Sequence, residues 1–162
     1  MKIKLPSELS IMGRGYREFK YLEHTADVKI VGYGNTIKKV FEALALGTMN
    51  IMYDITKVDL KEERELELKS EDIISTLYDF LLENLNLFYI DMFAIGDIKV
   101  KNLKRIKVEK NKFWYIRWKV FGEKYDPNKH DRKKEVKAIT YNEMTIRKVK
   151  KGLWEGICVV DV

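Results

Sequence analysis

The sequence predicts an α+β protein: a largely antiparallel β-sheet with two helices packed on one face. Three observations carry that expectation. Two stretches repeat apolar residues at helical spacing, Ile37, Val40, Phe41 and Leu44, then Ile73, Leu77, Leu81, Leu85 and Phe88. From Met92 onward the apolar residues recur at every second position. The order is strand, helix, strand, helix and then a run of strands, which favours helices laid on hairpins over repeated βαβ units.

Residues 1–15 contain Pro6, Gly13 and Gly15 and show no period, so they read as an N-terminal extension to one domain over residues 16–162. Phe19, Tyr21, Val28 and Ile30 have strand spacing. Gly32 and Gly34 mark a turn, after which the side-chain oxygen of Asn35 or Thr36 is placed to accept from free amides in the first turn of a helix. Leu66 and Leu68 alternate with Glu65, Glu67 and Lys69, a strand. Ser70 is the expected cap of the second helix, with Glu71 and Asp72 at its positive end. Ile98 and Val100 open a strand that Ile106 and Val108 continue past a bulge near Asn102. Residues 110–112 are the expected hairpin turn. Trp114, Ile116, Trp118 and Val120 then share one face, with Tyr115, Arg117 and Lys119 on the other. Residues 122–134 read as a charged loop. Three last strands follow, around 136–140, 145–149 and 154–160, the final two joined by a turn at 150–152.

Composition narrows the function classes. With 46% hydrophobic and 35% charged residues, the 162-residue chain is neither disordered nor collagen-like. No apolar run reaches the ~18 residues of a membrane helix, and the first residues lack the apolar core of a secretion signal. The single cysteine, Cys158, excludes an internal disulfide framework and sits in an apolar strand as a buried thiol. A soluble, cytoplasmic protein with no membrane partner is expected. Net charge is +6, but residues 99–137 hold 15 Lys/Arg against 5 Asp/Glu. Such an excess attracts RNA or an acidic surface; it is also what outward lysines on strands produce while blocking edge-to-edge aggregation.

There is no phosphate-cradling GxxxxGK[ST] motif, and Gly32-Tyr33-Gly34 lacks the third glycine of a dinucleotide turn. Two histidines, His24 and His130, are too few for a histidine-rich metal site. No catalytic residues are expected. Three polar positions stand out from their surroundings. Asp27 closes Glu23-His24-Thr25-Ala26-Asp27 just ahead of an apolar strand, and its oxygens suit a hard cation. Lys137 lies between residues that face the core and so points the other way. The terminus Val159-Val160-Asp161-Val162 places the Asp161 side chain beside the Val162 α-carboxylate.

These positions fall in blocks that together resemble the archease family: His24-Thr25-Ala26-Asp27, Gly32-Tyr33-Gly34-Asn35-Thr36, Phe41-Glu42-Ala43-Leu44-Ala45-Leu46-Gly47, Asp126-Pro127 with His130, Glu135-Val136-Lys137-Ala138-Ile139-Thr140-Tyr141, and the closing Val160-Asp161-Val162. The resemblance runs over residues 17–162. Lys38-Lys39 stand where the family pattern has acidic residues. The resemblance implies a non-catalytic activator of the RtcB-type tRNA-splicing ligase, which joins tRNA exon halves through a histidine–GMP intermediate made from GTP. It implies that the activator promotes guanylylation and turnover, and meets tRNA only through the ligase. It implies a divalent-cation site, taken as calcium, on Asp27, Asp161 and Val162, and a functional or partner-contacting role for Lys137 and His24. It also implies an α+β fold. The alternatives are an RNA-binding module or a chaperone-like modulator of a tRNA-modifying methyltransferase.

Overall fold

The strands expected from the period-two runs form, and they divide between two antiparallel sheets with the helices between them. The computed structural model describes residues 15–23 and 25–162. All of the expected extension except Gly15 lies outside these residues, as does His24. The chain runs β1 (Arg17–Glu23), β2 (Asp27–Gly34), α1 (Ile37–Met52), β3 (Glu62–Ser70), α2 (Ile73–Asp91), β4 (Phe93–Val108), β5 (Asn111–Lys124), a short α3 (Pro127–His130), β6 (Ala138–Lys150) and β7 (Leu153–Asp161), with a 3-10 turn at Ile55–Lys57. One sheet has the order β1-β2-β7-β6 and the other β3-β5-β4. The fold is α+β, and each sheet carries the helices on one face.

Helix α1 is the shared wall. It packs against β1, β2 and β7 of the first sheet and β4 of the second. Every residue from Val40 to Met49 is buried, so the helix is enclosed around its circumference. Close approach to the first sheet requires residues without side chains there. A Cβ on Gly156 would lie 2.5 Å from Val40 Cγ1 and 3.0 Å from Leu44 Cδ1. Thr36 caps the helix, its Oγ1 accepting from the Lys39 amide. Helix α2 lies along β3, β4 and β5 and reaches β6. Its cap is Asp72, which accepts from the Ser75 amide; Ser70 instead ends β3, paired opposite Trp114. The expected cap is displaced because Ser70 is held in the β3–β5 ladder, and the helix starts two residues later.

The core holds Phe19, Val28, Ile30, Phe41, Leu44, Phe80, Trp118 and Cys158, all at 0–1% exposure. Trp118 reaches Asn84 Oδ1 with its indole N–H, so its burial leaves no orphan donor. The Cys158 thiol is pushed up to about 12 by burial, against a lowering hydrogen bond to Thr48, and is inert. One set of buried charges, not singled out in the sequence, ties the layers together. Arg17 is fully buried and bonds Glu42 Oε1 of α1 at 2.7 Å and Asp97 Oδ1 of β4 at 2.6 Å. It also donates to the Ile98 carbonyl, while Glu42 Oε2 accepts from the Val100 amide. One guanidinium thus joins both sheets through α1. Its signal was present: Arg17, Phe19 and Tyr21 share the inward face of β1, and Glu42 interrupts an apolar helix.

β4 carries two irregularities, between Ile95 and Asp97 and between Val100 and Asn102. The second falls at the expected bulge and inverts the alternation. Before it Ile98 and Val100 face inward; after it Leu103, Arg105 and Lys107 take that face and Ile106 the other. Lys107 and Lys119 therefore lie on opposite faces. The hairpin turn is Glu109-Lys110, with Glu109 in the left-handed region at φ 58°. β5 continues to Lys124 and α3 follows it, so the expected loop over residues 122–134 is partly ordered structure. Among the described residues no helix is long and apolar enough to cross a membrane.

Candidate metal centre at one end of the four-stranded sheet

β2 begins at Asp27 and β7 ends at Asp161. The two strands are antiparallel neighbours, so the start of one meets the end of the other. Asp27 stands directly opposite Asp161, and Ala138 of β6 stands opposite Asp161 on its other side. The Val162 amide donates to the Ala26 carbonyl at 3.2 Å. Residues 26 and 162 therefore form a hydrogen-bonded pair, which makes Asp27 and Asp161 the adjoining non-hydrogen-bonded pair. Such pairs bring Cα atoms within ~4.5 Å and side chains closest together. The next row inward, Val28, Val160 and Ile139, is buried and fixes which face each strand turns to the core. With register set by that row, both carboxylates must point away from the core on the same face.

Lys137 arrives from the segment ahead of β6. Its amide donates to the Asp161 carbonyl at 2.7 Å. Val136 before it is buried and Lys137 itself is exposed, but not through the expected alternation: Ala138 pairs with Asp161 in the outward row and Ile139 is the residue that faces the core, because β6 begins only at Ala138. Asp27 is half-buried, Asp161 exposed and Val162 half-buried. Three segments far apart in the sequence thus meet at one corner of the four-stranded sheet. Among the described residues, neither aspartate has a cation within ion-pair distance. Lys29, two residues along β2 from Asp27, bonds Glu143 instead, at 2.7 Å.

Two like charges held opposite one another are mutually destabilising unless a cation joins them. The donors are hard carboxylate oxygens, the type that calcium and magnesium take. Among the described residues, no three His, Cys, Asp or Glu side chains converge. The pair therefore depends on main-chain oxygen at Val162, or on further donors, to complete a coordination shell. His24 is the fifth residue singled out in this corner's sequence blocks and lies outside the described residues.

Asp126, Pro127 and His130 have another part. Asp126 caps α3, accepting from the Asn128 amide, and Pro127 occupies the first turn. His130 is fully buried. Its Nδ1 accepts from the Asp126 amide at 3.0 Å, which leaves the proton on Nε2, facing Glu123 Oε2 at 2.9 Å. Glu123 also receives Lys129 Nζ at 2.7 Å and the Asp59 amide at 2.9 Å. Burial alone would raise its carboxyl, but the bonds from Lys129 and His130 outweigh it and hold the group down at about 2. This block locks the β5–β6 connection onto the body of the protein and does not belong to the Asp27–Asp161 corner.

The fold and this corner define a small α+β protein whose isolated polar residues gather at one end of the four-stranded sheet, across its two central strands. The chain belongs to the archease family: the archease protein family matches residues 19–162. It is 42% identical to the archease of Pyrococcus furiosus over 146 residues, 90% of this chain and 99% of that one. It is 38% identical to the archease of Methanosarcina mazei, over 90% and 97% of the two chains. The solution structure of a Methanobacterium thermoautotrophicum protein superposes with a TM-score of 0.70 at 33% identity, covering 89% of this chain and 98% of that one.

Proposed function

We propose that this protein is a cytoplasmic, non-catalytic activator of the RtcB-type tRNA-splicing ligase, acting through a divalent cation at the Asp27–Asp161 corner. The observation that carries the reading is the direct cross-strand opposition of Asp27 and Asp161 without a counter-charge among the described residues. Asp27, Asp161 and main-chain oxygen at Val162 would hold the ion, calcium on the family pattern. A divalent ion at such a site neutralises phosphate charge and orients a triphosphate. The chain's own residues supply the placement. β2 and β7 fix the two carboxylates on one face, the buried row beneath them prevents a register slip, and the hydrogen bond from the Lys137 amide to the Asp161 carbonyl positions that segment. The Lys137 ammonium is a compact point charge suited to a phosphate or to an acidic residue of the partner. Outward presentation suits a site that works on another protein's nucleotide pocket.

The test measures GTP-dependent guanylylation of the ligase, and multiple-turnover ligation, with catalytic amounts of this protein. Wild type should accelerate both. Asp27→Asn and Asp161→Asn should lose the acceleration while remaining folded. GTP consumption by this protein without ligase would contradict the non-catalytic reading, and full activation by either variant would contradict the role of the corner.

A further inference from the structure

The β4–β5 hairpin extends past the rest of its sheet. β3 stops at Ser70, opposite Trp114, which pairs with Arg105 on the other side. Beyond that row three further rows, Ile106–Phe113, Lys107–Lys112 and Val108–Asn111, form a free two-stranded arm closed by Glu109-Lys110. Residues 101–113 contain six Lys/Arg and one acid, Glu109. Among the described residues none of the six has an ion pair, whereas Arg117 and Lys119, further down the same hairpin, are matched to Glu65 and Glu63 on β3. The arm's charge is unmatched because the acid-bearing strand ends before it.

The register orders these charges. The bulge at Val100/Asn102 turns Arg105 and Lys107 to the face that carries Trp114 and Lys112. Lys107 and Lys112 oppose one another directly, a like-charge pair that costs stability unless a polyanion lies across it. Beside them the half-buried ring of Trp114 shares that face. A narrow arm with clustered cations and an aromatic ring on one face has the elements of a nucleic-acid contact: cations for the phosphodiester backbone and a ring on which a base stacks. An acidic protein surface would use the cations but has no use for the ring. The other basic hairpin, β6–β7, contrasts with it. There β2 accompanies β7 as far as Trp154, and Arg147 is paired with Glu155.

We propose that the β4–β5 arm binds single-stranded RNA through Arg105, Lys107, Lys112 and Trp114. The choice of RNA over DNA rests on the tRNA-ligase reading above; the contact itself is independent of the cation corner. It is tested without ligase and in chelator, by fluorescence anisotropy of labelled oligouridylate titrated with the full chain. With about three phosphate contacts, from Arg105, Lys107 and Lys112, log affinity should fall with log salt at a slope of roughly −2. Lys107→Glu/Lys112→Glu should weaken binding at least ~10-fold near 100 mM salt and flatten the slope by more than about one. The neutral Lys107→Gln/Lys112→Gln should lie between. The arm lies outside the core, so thermal melts of these variants should match wild type. Lys148→Glu/Lys150→Glu, the same reversal on the other hairpin, should change affinity less than ~3-fold. No measurable oligouridylate binding, or equal losses from the two reversals, would overturn the proposal. So would intact RNA binding in the Lys107/Lys112 variants accompanied by loss of ligase co-elution, because the arm would then be a protein contact. Loss of RNA binding with ligase activation retained would leave this inference standing and separate it from the cation corner.

Discussion

Replacing either aspartate of the corner should stabilise the protein when divalent ions are absent. Asp27 and Asp161 face each other in a non-hydrogen-bonded cross-strand pair with no ion-pair partner among the described residues. Two unit charges about 5 Å apart repel by about 0.8 kcal/mol in bulk water and by about 3 kcal/mol at an effective dielectric of ~20. One of the pair is exposed and the other half-buried, which places the repulsion near the lower figure, about 1 kcal/mol. For a chain of this size that corresponds to a melting shift of about 2–4 °C. Asp161→Asn keeps the shape and removes the charge, so its Tm in chelator and low salt should exceed that of wild type by this amount. Calcium should reverse the order. At 100 times the dissociation constant a native-state ligand adds about 2.7 kcal/mol, and wild type should receive this while the variant receives much less. The assay is a thermal melt of both proteins, in chelator and across a calcium series. A lower Tm for Asp161→Asn in chelator would refute the unneutralised pair, and equal calcium shifts in the two proteins would refute the shared site.

Lys137→Ala should leave the melting temperature within about 1 °C, because the side chain is exposed and only its amide bonds Asp161; ligase guanylylation assays should show activation lost. Glu123→Gln should cost about 1–3 kcal/mol at pH 7 by breaking the bonds from Lys129 and His130. Because the folded carboxyl is held at about 2, below the ordinary ~4.3, that contribution is fully present above the unfolded value and lost as pH falls toward 2. Melts of wild type and variant should therefore converge on acidification, and a gap constant with pH would refute it. Gly156→Ala places a methyl 2.5 Å from Val40 Cγ1, an overpacking expected to cost about 1–3 kcal/mol in denaturant titrations.

The sequence by itself determined the elements that local chemistry dictates. The stripe Ile37, Val40, Phe41, Leu44 could only bury itself as a helix, and the alternation around Trp118 could only be a strand with that indole inward. The isolated polarity of Asp27, Lys137 and Asp161, set against apolar neighbours, was also legible, and the order of the blocks carried the family resemblance. What tertiary structure decided depends on contacts between distant segments. Periodicity says which face of a strand is apolar but not which strands pair, so the division into two sheets around α1 came only from pairing. The same holds for Ser70, a good cap in isolation whose place in the β3–β5 ladder passed the cap to Asp72. Arg17 and Glu42 stand at inward positions of β1 and α1, but nothing local links them to Asp97; only the layering of β1, α1 and β4 turns the three into one buried network. The opposition of Asp27 to Asp161, and the side on which Lys107 emerges, are likewise matters of register, and one bulged residue at position 101 reverses the latter. Register is a property of two strands together, and neither strand carries it alone.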